Sequence, residues 1–429
     1  MKLPDWIRRW MGRGFWALTD RGLFSVSNFV LNILLARWLT PEGYGAFAVA
    51  FTTFLLLGAV HTGLLTEPML VFGPEKHLDR FEEYLGVLLT SHVVLAIGGS
   101  LVLLLAAAGL YGLGWSSISG AFLALSIASP FILLQWLTRM ASYVRLDPRP
   151  AALAGIAYFS MVVAGTVGLH QSEQLTGASA LLVMGAASLV SATLLLVRLR
   201  PRRTAGPTAA VFRRSVVADH WTYGRWASGT GVLTWIPGQV YYLLLPIWGG
   251  LAATASLRAL MNLIMPILHG YSALALLLTT VLARERGGRF RDVLTWSLLG
   301  FAIGAVVYWI VLGLGRDLFV DLLYGGLYGE VSSLLWLVGL IPVAGVGATV
   351  FVPALRALER PDRVFAAYAV STAAALTVGL ILTVRGGPAG AASAILLSTM
   401  LVALVSGRQL RSVLKAKAAS APGPGSGAE

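Results

Sequence analysis

The sequence contains no cysteine and little charge. Of its 429 residues, only 12% are charged, and the acidic residues number 19. The absence of cysteine excludes disulfides, thiol nucleophiles and cysteine-ligated metals. The six histidines are scattered without the spacing of a metal-binding motif, so we expect neither a metal nor another bound cofactor.

Apolar residues, in contrast, are abundant. They make up 57% of the chain and give a mean hydropathy of +0.78, well above the values of soluble domains. A helix needs about 20 apolar residues to cross the core of a bilayer. The sequence therefore predicts an all-α integral membrane protein with about twelve transmembrane helices. The predicted spans are residues 22–37, 43–64, 84–110, 117–138, 151–169, 177–197, 223–247, 251–283, 292–314, 331–355, 364–384 and 388–407.

The distribution of Lys and Arg indicates how these spans are oriented. With a cytoplasmic N-terminus, 28 of the 32 Lys and Arg residues fall on the cytoplasmic side. Arg37, Arg316 and Arg385 fall outside, and Arg258 lies within a span. This asymmetry follows the positive-inside rule and places both termini in the cytoplasm. Because the basic residues lie between apolar spans, the net charge of +13 indicates membrane topology and not nucleic-acid binding.

Both ends of the chain differ from the spans. Residues 1–20 combine basic residues with Trp6, Trp10 and Trp16, and they lack the apolar core and cleavage site of a signal peptide. We expect them to form an interfacial helix on the cytoplasmic leaflet. Residues 410–429 end in AASAPGPGSGAE, a composition that predicts a disordered cytoplasmic tail.

A short internal repeat indicates duplication. RLDPRP at 145–150 and RALERP at 356–361 align at an offset of 211 residues, with six predicted spans between them. The repeat favours two six-helix lobes, at residues 1–197 and 221–409, because transporters are often built from duplicated bundles. The basic segment 198–220 joins the lobes. It is either a solvated topology determinant or a binding site for anionic lipid headgroups.

The predicted spans contain one internal cation and no internal anion. The acidic residues near them lie at or beyond the span ends, namely Asp20, Glu42, Glu67, Glu83 and Asp317. A charge at the centre of a membrane helix costs roughly 2.5 to 3.5 kcal/mol on insertion scales. We therefore expect Arg258 to face a polar cavity, with a ligand as its counter-ion. The alternative is that its long side chain snorkels to the outer interface.

Helical projection places further polar residues near Arg258. At about 100° per residue, Thr254, Asn262 and His269 share its face of the eighth span. In the first span, Arg21, Asn28 and Asn32 lie on one face by the same arithmetic. These two polar faces are candidates for the walls of a substrate cavity.

A third face, in the seventh span, mixes aromatic rings with hydroxyls. It contains Tyr223, Trp226, Thr230, Thr234 and Tyr241. Rings and hydroxyls together suit sugars, which present C–H faces and hydroxyl edges. An aromatic belt combined with helix packing explains the same pattern equally well.

The stretch GLFSVSNFVLNILLARWLTPEGYGAFAVAFTT, residues 22–53, is followed by a charged loop and then by a second six-helix lobe. This arrangement resembles the bacterial polysaccharide flippases of the MOP superfamily, the O-antigen and exopolysaccharide translocases related to lipid II flippases and MATE exporters. The resemblance implies a two-lobe transporter with a central cavity. Its substrate would be undecaprenyl-pyrophosphate-linked oligosaccharide, carried across the inner membrane for surface polysaccharide biosynthesis. Such flippases have cationic cavities, which Arg258 and Arg21 match, although the second span here has no Arg or Lys.

Three functional classes differ in the residues that they require. A lipid-linked oligosaccharide flippase fits an intramembrane cation, and its partners would be membrane lipids, a polysaccharide polymerase and a co-polymerase. The alternative, a MATE-like ion-coupled exporter of small organic molecules, calls for an Asp or Glu inside a lobe. A membrane enzyme calls for a large outer loop with catalytic side chains, and the longest outer connection, near 315–330, is short. We therefore expect a transporter and not an enzyme, with coupling to Na⁺ or H⁺ left open.

Overall fold

A computed structural model describes residues 5–206, 208–285 and 287–419. These residues form helices and turns, without a strand. The predicted all-α membrane fold is thereby confirmed. The α-helices are α1 Asp5–Trp38, α2 Pro41–His61, α3 Glu67–Lys76, α4 Phe81–Gly112, α5 Ser116–Val144, α6 Arg149–Gln171, α7 Gly177–Leu199, α8 Ala209–Arg284, α9 Gly287–Leu314, α10 Arg316–Tyr324, α11 Leu335–Val338, α12 Leu340–Ala357, α13 Pro361–Ala374 and α14 Leu380–Ala419.

Short irregular helices join some of these elements into longer rods. A π-helical turn at Thr62–Thr66 connects α2 to α3, and a second at Ala375–Gly379 connects α13 to α14. A 3₁₀ helix at Gly329–Leu334 precedes α11. In the described part of the chain, nine such rods are long and apolar enough to cross a membrane.

Two of the nine rods bend at a glycine. Gly250 in α8 has φ of 75°, and Gly387 in α14 has φ of 53°, a left-handed region that glycine enters without steric cost. Each bend divides one rod into two arms, so the nine rods comprise eleven helical segments. α1, 34 residues long and less apolar than these rods, adds a twelfth helix. Every predicted span falls within one of these helices or arms.

Local sequence explains where several helices begin. Thr40 caps α2 by accepting a hydrogen bond from the Gly43 amide, and Pro41 occupies the first turn, where no amide hydrogen is needed. Thr176 and Ser179 form a reciprocal capping box at the start of α7. These caps fix the residues at which α2 and α7 begin.

The helices group into two compact units. Unit 1 comprises Met1–Trp235, Gly249–Asn262 and Leu323–Leu327; unit 2 comprises Ile236–Trp248, Leu263–Leu322 and Tyr328–Glu429. The core of unit 1 includes Met69, Tyr84 and Leu137, while that of unit 2 includes Leu282, Val350 and Leu355. The predicted lobe boundaries at 1–197 and 221–409 remain a prediction.

The two chain ends differ in part from expectation. α14 continues to Ala419, so the residues up to there are helical and not part of a disordered tail. Leu410 and Val413 are buried in the core of unit 2, and their packing explains why the helix continues. Residues 420–429 lie outside the described residues. At the other end, residues 5–20 belong to the same continuous helix as the first span, and residues 1–4 lie outside the described part.

The orientation of the spans gives a first testable prediction. Reporter fusions at residues 112, 172 and 387 should report the outer side of the membrane, and fusions at 208, 288 and 418 the cytoplasm. The expected result follows from the partition of 28 cytoplasmic and three external basic residues. A cytoplasmic signal at 172 together with an external signal at 208 would contradict the twelve-span arrangement.

Candidate functional site

Arg258 lies in α8, eight residues after the bend at Gly250, and its side chain is buried within unit 1. It is 9% exposed. Its Nε donates a hydrogen bond to the side-chain oxygen of Asn32 at 3.2 Å, and its guanidinium carbon lies 5.0 Å from the centroid of the Phe51 ring. The cation is thus stabilised by an amide oxygen and by the negative face of an aromatic ring.

The Asn32 amide is held in one orientation by its own contacts. Its nitrogen donates to the backbone carbonyl of Asn28 at 2.8 Å, which turns its oxygen toward Arg258. The same oxygen accepts a hydrogen bond from the Tyr44 hydroxyl at 3.1 Å, and Tyr44 is fully buried. Three elements, α1, α2 and α8, therefore meet at one polar cluster, which we call the Arg258 cluster: Asn32, Tyr44, Phe51, Arg258 and Asn262.

Two neighbours of Arg258 on α8 are also buried. Asn262 is 4% exposed and donates from Nδ2 to the backbone carbonyl of Phe29 at 3.5 Å. Thr254 is fully buried, and its hydroxyl donates to the Gly250 carbonyl of its own helix. The predicted grouping of Thr254, Arg258 and Asn262 with Asn32 is therefore present within unit 1.

His269 does not join this cluster. It is exposed and belongs to unit 2, whereas Arg258 and Asn262 belong to unit 1. The sequence projection treated the eighth span as one straight helix with one packing partner. In the structure, continuous burial of α8 ends after Ile264, two residues before Pro266. The common face predicted for Arg258 and His269 crosses the boundary between the two units and stays a prediction.

The two remaining candidates in α1 contribute little to the cluster. Asn28 is half-buried and contributes its backbone carbonyl, as acceptor from Asn32. Arg21 is exposed. The snorkelling alternative for Arg258 predicted an exposed guanidinium, whereas the side chain is buried against α1 and α2.

A close backbone contact brings α8 against α2. A Cβ atom on Gly45 would overlap the Leu251 carbonyl oxygen, so only glycine permits this approach. Leu251 follows the bend at Gly250 directly, and the bend lets its carbonyl face α2. Gly45 therefore sets the distance at which the Phe51 face of α2 meets Arg258.

Gly45→Ala is expected to destabilise the protein by about 1–3 kcal/mol, because the added methyl must displace backbone atoms. The measurement is the midpoint of thermal unfolding of the purified protein in detergent. Gly98→Ala in α4 is the matched control, since no atom lies within 4 Å of the methyl it would add. Equal melting temperatures of the two variants would show that the Gly45 contact is dispensable.

The aromatic face predicted for the seventh span is divided in the structure. The Tyr223 hydroxyl donates to Glu67 at 3.1 Å, and Trp226 is 72% exposed. Thr230 and Thr234 are exposed and donate to carbonyls of their own helix. Tyr241 is fully buried in unit 2, beside Ser398 at 3.5 Å. The first four of these residues belong to unit 1 and Tyr241 belongs to unit 2, so their shared role in sugar binding stays a prediction.

Sequence analysis missed a buried ion pair. Asp20 is 1% exposed and lies within α1, which begins well before the predicted first span. Arg139 Nε donates to both Asp20 oxygens at 2.9 Å, and the Tyr143 hydroxyl donates to one of them at 2.6 Å. Arg139 also lies over the Phe24 ring. The carboxylate is thus neutralised inside unit 1.

The basic linker is docked onto unit 1 and is not simply solvated. The Arg202 amide donates to the Glu82 carbonyl at 2.9 Å, and its side chain pairs with the Glu82 carboxylate at 3.0 Å. Gly86 makes room for this approach, since a Cβ there would overlap the Arg202 carbonyl. Other linker arginines, such as Arg213 and Arg214, are exposed. These exposed charges remain compatible with binding of lipid headgroups.

The chain is similar to known proteins in structure, whereas comparisons of its sequence find no match. No protein-family model matches the sequence, and no curated protein matches it. A multidrug resistance MATE family transporter of the MOP superfamily, in an inward-facing conformation, superposes with a TM-score of 0.78 at 14% identity, over 93% of this chain and 96% of that one. The lipid II flippase MurJ, in an inward closed conformation, superposes with a TM-score of 0.70 at 13% identity, over 94% of this chain and 87% of that one.

A third structure belongs to a MOP superfamily transporter from Pyrococcus furiosus, described as having a binding pocket of reverse polarity. It gives a TM-score of 0.66 at 14% identity over 94% of both chains. Identities this low establish the fold and leave the substrate open. Together with the apolar rods, these matches show that the chain is a multi-pass membrane protein with the fold of the MOP superfamily transporters.

Proposed function

We propose that the chain is a transporter that flips undecaprenyl-pyrophosphate-linked oligosaccharide across the bacterial inner membrane for surface polysaccharide biosynthesis. The observation that supports this most directly is the buried guanidinium of Arg258, held by Asn32 and Phe51. An arginine guanidinium is permanently charged and creates a positive potential around it. Such a potential favours an anionic headgroup such as a pyrophosphate.

The alternative function is a MATE-like exporter of small organic molecules. Asp20 is the observation in its favour, because a buried carboxylate can bind an organic cation or a coupling ion. However, Asp20 already accepts hydrogen bonds from Arg139 and Tyr143. An incoming cation would have to displace the Arg139 guanidinium, which makes the exporter the weaker proposal.

The transport step would follow from alternating access. The pyrophosphate would approach the Arg258 cluster, where Arg258 supplies charge and Asn32 and Asn262 supply amide groups in place of lost water. Rearrangement of the helices would then expose the headgroup on the other side of the membrane. A polymerase and a co-polymerase would receive the oligosaccharide there, and no chemical bond is made or broken in the step itself.

The function is tested with purified protein in liposomes. The probe is a fluorescent undecaprenyl-pyrophosphate disaccharide placed in both leaflets, and an impermeant quencher reports how much becomes accessible over time. The proposal expects accelerated exchange of the probe and no uptake of a fluorescent organic cation such as ethidium. Uptake of ethidium without exchange of the lipid-linked sugar would support the exporter instead.

A further inference from the structure

Two histidines face each other inside the membrane-spanning part of unit 1. His61 is the last residue of α2 and His92 lies in α4, and they are 3% and 4% exposed. Nε2 of His61 lies 3.0 Å from Nδ1 of His92, and the two rings are nearly perpendicular, at 88°. The pair therefore shares one hydrogen bond in a buried environment.

The contacts of His61 indicate which nitrogen carries the proton. Within the described residues, its buried Nδ1 has no hydrogen-bond partner. A buried N–H without an acceptor is rarer than a buried lone pair without a donor, so the proton of neutral His61 lies on Nε2. Nε2 of His61 then donates the shared hydrogen bond to Nδ1 of His92.

This assignment leaves one lone pair without a partner. The single N–H of neutral His61 is used on His92, so its Nδ1 carries a lone pair. Nδ1 of His61 is buried, and within the described residues it has no hydrogen-bond partner. A proton can therefore add at this atom without breaking a hydrogen bond of the pair.

The helix that contains His61 is interrupted by a π-helical turn, at which its conformation can change. The π-helical turn Thr62–Thr66 begins directly after His61, and π-turns inside longer helices occur frequently at functional sites. One carbonyl just before this turn and one within it already bond to α8. Val60 accepts from the Ser228 hydroxyl at 3.1 Å, and Leu64 faces Nδ1 of His220 at 3.0 Å.

The groups that face the pair are mostly uncharged. From α4, His92 is the titratable group whose charge acts on His61. From α5 come the Pro130 carbonyl and Trp136, which lies against Gly58 one turn before His61. From α8 come Ser228 and, at Leu64, the titratable His220, which also bonds to the Tyr84 hydroxyl. A charge on the pair would thus meet no described acidic partner among these groups.

We propose that His61 and His92 form a proton-binding site. A proton from water adds to Nδ1 of His61, and the resulting imidazolium keeps its hydrogen bond to His92. Its new N–H then needs an acceptor or water, which the described residues do not supply at that position. The protonated pair therefore favours a different conformation of the π-helical turn, so proton binding shifts the conformational equilibrium of the transporter. The coupling role rests on the proposed function.

The proton site itself is tested without a transported substrate. The full chain, labelled with ¹⁵N-histidine and placed in liposomes, is studied by solid-state NMR from about pH 8 to pH 4, where histidines change charge. His61→Gln keeps an N–H donor toward His92 but removes the accepting nitrogen. His170→Gln is the control, because His170 is exposed at the end of α6 and stacks on Trp38.

The proposal expects an imidazolium signal at low pH that is lost in His61→Gln and retained in His170→Gln. It also expects coupling between the two ring nitrogens across the shared hydrogen bond in the wild-type chain. The same set of imidazolium signals in the wild-type chain and in His61→Gln would overturn it. Because this measurement uses no transported lipid, it decides the proton site even if the proposed substrate is wrong.

The coupling role is tested separately in liposomes with an imposed pH gradient and the fluorescent undecaprenyl-pyrophosphate disaccharide. Wild-type exchange should accelerate with the gradient, and His61→Gln should lose that acceleration while it retains the exchange seen without a gradient. A gradient response preserved in His61→Gln would overturn the coupling role. Absence of any exchange by the wild-type chain would instead count against the proposed function.

Discussion

Arg258→Ala is expected to lower the exchange rate of the lipid-linked sugar by about 10- to 100-fold while membrane expression stays close to wild type. Hydrogen bonds to charged groups contribute about 1.5–3 kcal/mol each, which corresponds to this range. Expression should be preserved because the substitution removes a charge from membrane depth. The measurement combines the liposome assay with surface polymer and protein level in a strain that lacks the transporter.

The matched control is Arg411→Ala, which removes an exposed arginine near the C-terminal end of α14. It should leave transport unchanged. Arg258→Lys should retain part of the activity, because lysine keeps the charge but lacks the planar fork that binds a phosphate through two hydrogen bonds. Normal export by Arg258→Ala would end the assignment of this residue to the substrate site.

Asn32→Asp separates a binding role for Arg258 from a structural one. The new carboxylate would lie where the Asn32 oxygen accepts from Arg258, and it would neutralise the guanidinium directly. If Arg258 binds a pyrophosphate, this internal anion competes with it and transport should fall. If Arg258 only supports packing, an ion pair in place of the hydrogen bond between the guanidinium and the amide should be tolerated.

The positions of the helices could be predicted from hydropathy because the bilayer requires runs of about 20 apolar residues. The bends at Gly250 and Gly387 were anticipated as breaks between spans, since each lies in a short glycine-containing gap between apolar runs. The extension of α14 to Ala419 was missed, because burial of Leu410 and Val413 depends on tertiary packing that composition does not show.

The grouping of polar residues around Arg258 was predicted only where a single helix determines it. Arg258, Thr254 and Asn262 share one face of α8, so their spacing was sufficient. Tyr44 was missed because its contact with Asn32 joins two helices, and no spacing rule relates them. The predicted aromatic face is divided between the two units for a related reason, since projection assumes that one helix has one set of neighbours along its whole length.

The ion pair of Asp20 with Arg139 was missed for the same reason, since it joins two helices that no spacing rule relates. Its partner Arg139 lies 119 residues away, on a helix that meets α1 only in the folded chain. Hydropathy placed Asp20 outside the first span because the apolar run begins after it. In the structure, α1 begins much earlier, and Arg139 and Tyr143 compensate the charge.

Asp20→Ala is therefore expected to destabilise the protein by about 3–5 kcal/mol, because it leaves a buried guanidinium without its counter-ion. Arg139 is 11% exposed, so water cannot replace the lost partner effectively. The observable is a lower midpoint of thermal unfolding in detergent, together with reduced yield. Tyr143→Phe removes one hydrogen bond from the same carboxylate and should cost only about 1–3 kcal/mol.

The double variant Asp20→Ala with Arg139→Met distinguishes the lost charge balance from lost packing. Replacement of both partners of a buried pair by apolar residues is often close to neutral, so the double variant should be more stable than Asp20→Ala alone. If the double variant unfolds as early as the single one, the pair stabilises unit 1 by shape and not by charge. If Asp20→Ala has the same midpoint of thermal unfolding as the wild type, the carboxylate is not required for the stability of unit 1. Its availability to an organic cation would then favour the exporter.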